Sequence, residues 1–244
     1  MAEKETKARY KNALLGFSWM VINPVLQMLI IGIIFQFFVS FQTIDNYYLF
    51  LLIGLLVWNF FSSSLNQISP VFIQQRFLLQ KASFSREILP LSIVLSNMFH
   101  IIVSLILLLI YVFIFNDFVF SFISLMLLFS SVIWLLIFTG GLGLLTSSLN
   151  VKYRDVSFLV QASLPLGFYL TPIIYDETML PSGMRWLLFI NPLSSIIANL
   201  KSVFLLTPVL SINYQILSIF VTALTLFLGI IVFTRNSKNF SDYV

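Results

Sequence analysis

TPIIYDETMLPSGMRWLLFINPLSSII, Thr171 to Ile197, is apolar along most of its length, yet an Asp-Glu pair, three prolines and an arginine interrupt it. A membrane-spanning helix needs about 20 apolar residues in a row. Here seven uncharged residues separate Glu177 from Arg185, and fifteen separate Arg185 from Lys201. Pro172, Pro181 and Pro192 restrict the residues before them and start or stop helices. LPSGM, Leu180 to Met184, is a turn signal. The stretch reads as two short helices, about 177–190 and 192–206, that enter the outer leaflet and return. Irregular backbone is tolerated at that depth where protein buries it or a wet cavity borders it. The other reading is an amphipathic loop lying flat on the outer surface.

The surrounding sequence makes lipid the relevant solvent. Of 244 residues, 59% are hydrophobic and 9% charged, with a mean hydropathy of +1.02. Soluble domains average about 25% charged. Segments in lipid must satisfy their own backbone, so only helices or closed barrels cross. The ten-residue alternation of a barrel is absent, which leaves an all-α integral membrane protein in a single transmembrane domain, 1–244.

Charges mark span ends, because each costs about 2.5–3.5 kcal/mol at a helix centre. Stretches without Asp, Glu, Lys or Arg are 12–44, 46–75, 88–116, 118–151, 156–175 and 202–234. They predict six spans, at about 20–41, 48–66, 90–115, 119–148, 156–175 and 212–234, with both termini on one side. That side holds Lys4, Lys7, Arg9, Lys11, Arg76, Lys81, Arg86, Lys152, Arg154, Arg235 and Lys238; the other holds Arg185 and Lys201. Eleven cations against two assign the first side to the cytoplasm. The expected location is the cytoplasmic (inner) membrane. No short apolar core with a small-residue cleavage site follows the charged start, so no cleaved signal peptide is expected.

Two further segments read as interfacial. Residues 1–18 predict a helix at the membrane surface, with Tyr10, Leu14, Phe17 and Val21 on one face and Trp19 at headgroup level; Pro24 then resets the direction. Residues 70–88 predict a cytoplasmic helix opened by Pro70. Ile73, Phe77, Phe84 and Ile88 share its apolar face, with Gln74, Gln75, Arg76, Gln80 and Lys81 elsewhere. A lipid-facing surface helix with snorkelling lysines has the same pattern.

Several function classes lose their basis in these residues. No acid or base sits mid-span except His100, a thin basis for a proton relay; a packing hydrogen bond to a neighbouring Ser or Asn is the plainer reading. There is no phosphate-binding G-x-x-x-x-G-K-[ST] and no catalytic grouping. Gly140, Gly141 and Gly143 suit close helix packing or a hinge. Without cysteine there is neither disulfide nor thiolate metal site. An energy source must come from another polypeptide. A membrane-embedded transferase would need a polar catalytic cluster, and a plain anchor would not need proline-broken outer helices.

Four stretches together resemble one family. RYKNALLGFSWMVINPVL (Arg9–Leu26), FSREILPLS (Phe84–Ser92), NVKYRDV (Asn150–Val156) and the opening stretch are similar, in order, to the membrane subunits of ABC transporters that export polysaccharides of the O-antigen and teichoic acid type. Two departures are Ser85, where the family commonly has Pro, and a short N-terminus.

The resemblance implies a homodimeric permease, with two copies of a separate ATPase on its cytoplasmic face and a lipid-linked glycan as cargo. ATP and Mg belong to the ATPase; this chain binds no cofactor or metal and is not an enzyme. ATPase coupling falls to the 70–88 helix and the 150–156 turn, with Gln74, Gln75, Arg76, Phe77, Lys81, Arg86, Glu87, Arg154 and Asp155. The outer gate comprises Pro172, Tyr175, Pro181, Gly183, Arg185, Trp186, Asn191 and Pro192. Aromatic faces pack on sugar rings, and Phe35, Phe38, Tyr47, Tyr48, Trp58, Phe168 and Tyr169 are the candidates for a glycan channel. With 27 Phe in the chain, ordinary lipid-facing residues are the competing explanation for each. The spans carry no basic track, which argues against nucleic acid. An ABC permease exporting a drug or lipid is the alternative on the same plan.

Overall fold

A computed structural model of the chain describes residues 19–38, 46–76, 85–115, 121–237 and 240. The expected surface helix over 1–18, together with Phe77, Gln80, Lys81 and Phe84, lies outside them. Among the described residues there is no strand. The helices are α1 (Trp19–Phe38), α2 (Tyr47–Ile68), α3 (Val71–Gln74), α4 (Ile88–Phe115), α5 (Phe122–Lys152), α6 (Asp155–Leu170), α7 (Arg185–Ile190), α8 (Pro192–Leu205) and α9 (Ile212–Ser237).

Four of them, α2, α4, α5 and α9, are long and apolar enough to cross a membrane alone, and the bent α7–α8 pair makes up to five. The expected first and fifth spans are shorter. The apolar part of α1 runs over Ile22–Phe35. The 16 residues of α6 rise about 24 Å, against a hydrocarbon core of about 30 Å. Pro24 does not reset the chain: α1 runs through it, with Pro24 inside the helix. The cost is one lost backbone hydrogen bond, which neighbouring helices tolerate in apolar surroundings.

α2 is the central helix. Leu51, Ile53 and Val57 have no exposed surface, and α1, α4, α5 and α8 surround it. At Gly54 an added Cβ would come 3.2 Å from the Ile173 backbone, so the chain leaving α6 lies directly on α2. α5 and α9 approach most closely where two glycines meet. A Cβ on Gly141 would sit 2.8 Å from the Leu226 Cα, and one on Gly229 would collide with the Gly141 carbonyl. Trp134 Nε1 donates to Thr222 Oγ1 across the same pair at 2.7 Å. Of the three neighbouring glycines, Gly141 and Gly143 pack tightly, while Gly140 faces open space.

The helix expected over 70–88 is α3, a single turn within the described residues. Val71 and Phe72 are its buried side chains; Ile73 is only half-buried and Ile88, expected on the apolar face, is exposed. Phe72 instead joins an aromatic cluster with Phe233 at 5.9 Å and Phe240 at 4.7 Å. Arg86 lies 5.5 Å from the Phe240 ring. This cluster ties α3 and the start of α4 to the end of α9, and the connectivity puts Arg76, Arg86, Lys152, Arg154 and Arg235 at one end of the bundle.

Candidate functional site

The opposite end is organised by the segment that leaves α6. Thr171, Pro172, Ile173 and Ile174 are buried yet not helical, so their polar backbone groups need partners. Side chains of α2 and α8 supply two of them, and Asn191, the cap of α8, holds the Thr171 side chain. The Tyr47 hydroxyl donates to the Ile174 carbonyl at 3.1 Å. Lys201 Nζ donates to the Pro172 carbonyl at 2.7 Å. Asn191 Nδ2 donates to Thr171 Oγ1 at 2.8 Å, and Thr171 Oγ1 donates to the Gly167 carbonyl at 2.7 Å, closing the end of α6.

Beyond this clamp the expected helix over 177–190 is broken into 3-10 turns at Glu177–Met179 and Ser182–Met184, followed by α7. Asp176 starts the first turn, accepting from the Thr178 amide at 2.8 Å. Arg185 fastens the loop by donating to the Leu180 carbonyl at 3.2 Å and the Thr178 carbonyl at 3.3 Å. Pro181 and Gly183 are exposed, and a Cβ on Gly183 would meet nothing within 4 Å. Trp186 is half exposed. At Asn191 and Pro192 the chain turns by 103°: the Asn191 side chain caps α8 by accepting from Leu193 N at 3.1 Å, and Pro192 occupies the first helical position, where its missing N–H costs nothing.

α8 is buried along nearly its whole length against α2, α5 and α9. Ser195 and Ser218 pair their hydroxyls at 2.7 Å, and Ser218 also donates to the Phe189 carbonyl at 2.7 Å, joining the α7–α8 bend to α9.

Lys201 departs most from expectation. Counted among the outer-side cations, it lies at the end opposite Arg76 and Arg86 but inside the protein, 5% exposed. Its ammonium lies 3.1 Å from the centroid of the Phe50 ring. The signal was present in the helical spacing: Leu193, Ile197 and Lys201 fall at i, i+4 and i+8, on a face whose other members are fully buried. Phe50, Pro172, Glu177 and Lys201 border a cavity of about 150 Å³. Burial, and next the neighbouring Asp176, hold the Glu177 carboxyl above its ordinary range, with Arg185 and Lys201 opposing. The Tyr175 phenol donates to the Tyr169 carbonyl at 3.2 Å. Thr171, Phe50 and Lys201 are the site residues that sequence reasoning missed.

The seven aromatic candidates separate. Trp58 is buried, 5.7 Å from Phe61 and 5.6 Å from Phe168. Phe168 touches Tyr169 edge-on at 5.4 Å, and Tyr169 is 68% exposed; these three make a row from the core to the surface of α6. Tyr47 is committed to the clamp. Tyr48 is at the surface against Gly32. Phe35 is half-buried and packs against the core, and Phe38 ends α1.

At the cationic end, Gln74, Arg76, Glu87, Arg154 and Asp155 are exposed, with Gln75 and Arg86 half-buried. Asp155 sits in the first turn of α6, where the helix dipole favours an acid. These side chains form a polar surface of mixed charge on which a soluble partner could seat.

A family model described as ABC-2 type transporter matches residues 1–205. The chain is similar to an O-antigen export system permease protein RfbA of Klebsiella pneumoniae, 30% identical over 254 residues, covering 99% of this chain and 92% of that protein. It is also similar to a protein of the same name from Myxococcus xanthus, 31% identical over 207 residues, covering 84% of this chain and 78% of that protein.

Proposed function

The chain belongs to the ABC-2 type transporter family, and from that premise we propose that it is the permease subunit of an ATP-driven exporter carrying a lipid-linked polysaccharide of the O-antigen type. The observation that carries this reading is the similarity, over nearly the full length, to permeases named for O-antigen export.

In this reading the cationic end faces the cytoplasm and receives a separate ATPase, which binds ATP and Mg. Arg76, Arg86, Glu87, Arg154 and Asp155 are its docking residues, and the exposure of all but the half-buried Arg86 supports the assignment. The aromatic cluster at Phe72, Phe233 and Phe240 links that surface to α9, whose other end is joined to α7 through Ser218. A push at the docking surface thus has a continuous packed route to the outer end. Six crossings follow if α1 and α6 also span, with the α7–α8 bend as the re-entrant outer gate.

The cargo runs beside α6, between two copies of the chain. Only Val160 and Leu164 of α6 are buried, so most of this helix awaits a neighbour, and Phe168 and Tyr169 give it aromatic faces for sugar rings.

Deletion of the gene in its native host tests the reading. Surface polysaccharide should be lost while its lipid-linked precursor accumulates on the cytoplasmic side. Normal surface polysaccharide with loss of resistance to a drug would assign the exporter to another cargo.

A further inference from the structure

Between α1, α2 and α4 lie two cavities, of about 210 Å³ and about 360 Å³. They share one lining residue from each helix: Pro24, Leu56 and Ser104. They are therefore successive compartments of one groove, and the compartments differ in chemistry. The first is lined by Asn23, Asn59, Ser63, Asn97 and His100, with Trp19 and Phe60 as aromatic walls. The second is lined mainly by Val25, Met28, Leu52, Leu107 and Leu108, with Tyr48 and Tyr111 at its far end.

The polar compartment is held in place by two bonds between helices and one within α1. Asn59 Nδ2 donates to Gln27 Oε1 at 3.0 Å, Gln27 Nε2 donates to Asn23 Oδ1 at 3.2 Å, and Asn97 Nδ2 donates to Ser64 Oγ at 3.0 Å. Polar side chains from three apolar helices converging at membrane depth are costly unless used. The compartment lies toward the end that carries Arg76 and Arg86. From there the apolar slot runs away from that end, from Leu56 to Tyr48 at the start of α2, about 12 Å of helix.

We propose that this groove holds one lipid, its hydroxyl-rich head in the polar compartment and its chain in the apolar slot. Among the described lining residues of the polar compartment there is no Asp, Glu, Lys or Arg. Amides and hydroxyls both donate and accept, which suits sugar or glycerol hydroxyls. A choline head has no N–H or O–H to give their acceptors, so only the aromatic walls are left to hold it. The faces of Trp19 and Phe60 suit a sugar ring. A membrane glycolipid and a glycan-bearing carrier lipid share this chemistry. The site is built within one chain, so it stands whether or not the export reading does.

The test is photolabelling of the full chain in lipid nanodiscs with three chain-tagged diazirine probes: monoglucosyl diacylglycerol, a glucosyl phosphoprenol and phosphatidylcholine. Labelling near Met28, Leu52 and Leu108 by a glucosyl probe should exceed that by phosphatidylcholine at least about fivefold, the discrimination expected of one hydrogen bond. It should be lost in Asn59→Leu and in Met28→Trp. The diacylglycerol probe as the better label assigns a membrane glycolipid; the phosphoprenol as the better label assigns a carrier lipid. Equal labelling by phosphatidylcholine, or labelling indifferent to Asn59→Leu, overturns the proposal. If either variant fails to insert, excess unlabelled glucosyl lipid is added to the unaltered chain, and undiminished labelling there overturns it equally.

Discussion

At Lys201 an amino group lies inside the protein, where burial disfavours its charge, and three features act against that cost. The Pro172 carbonyl takes a charge-assisted hydrogen bond, the Phe50 ring covers the ammonium, and Asp176 and Glu177 border the same cavity. A desolvated cation over an aromatic ring is worth about 2 kcal/mol. A double-mutant cycle of Lys201→Met and Phe50→Leu, followed by unfolding in mixed micelles, should give a coupling of about 1–2 kcal/mol. Additive effects within about 0.3 kcal/mol would show that the ring is a bystander. Asn191→Ala removes both the cap of α8 and the bond to Thr171, and should cost about 1–2 kcal/mol in the same assay; an unchanged unfolding midpoint would mean that neither bond contributes.

The helices make contrasting predictions. Gly141 and Gly229 set the separation of α5 from α9, whereas Gly140, beside them in sequence, meets nothing. Gly140→Ala should be neutral or stabilising by up to about 1 kcal/mol through helix propensity. Gly229→Ala should destabilise by about 1–3 kcal/mol through overpacking. Equal melting temperatures for the two variants would contradict the close approach.

α6 makes the second prediction, through its exposed side chains. Phe158, Leu159 and Leu166 are each 67% exposed, and the proposed homodimer covers them. The chain has no native cysteine, so Leu166→Cys should cross-link between protomers on mild oxidation, and Ile219→Cys on α9 should not. The reverse pattern would place the dimer contact on α9.

Across the whole molecule, what was legible in the sequence was what periodicity and charge encode. The apolar runs located α2, α4, α5 and α9, and the Asn191-Pro192 pair located the bend before α8. Features that depend on tertiary partners were not legible. The burial of Lys201 becomes legible only once α8 is known to be enclosed by α2, α5 and α9. Phe72 could not be matched to Phe233 and Phe240 across some 160 residues of chain. Gly140 and Gly141 are equivalent in the sequence and differ only in what α9 puts beside them. The proposed orientation of the bundle rests on charge alone and can be tested directly. Ser182→Cys should react with an impermeant maleimide from outside the cell, and Ser85→Cys only after the cytoplasmic face is opened. A swapped pattern would invert the molecule.

The central claim is that this chain moves a lipid-linked glycan under the power of a separate ATPase. Its most direct test is proteoliposomes containing the chain, its ATPase and a lipid-linked glycan, assayed for exposure of the glycan to a lectin on the far side of the membrane. Exposure should require ATP, rise with time, and fall when Arg76 and Arg86 are both reversed to Glu. Exposure at the same rate without ATP, or none with both subunits intact and the ATPase turning over, would contradict it.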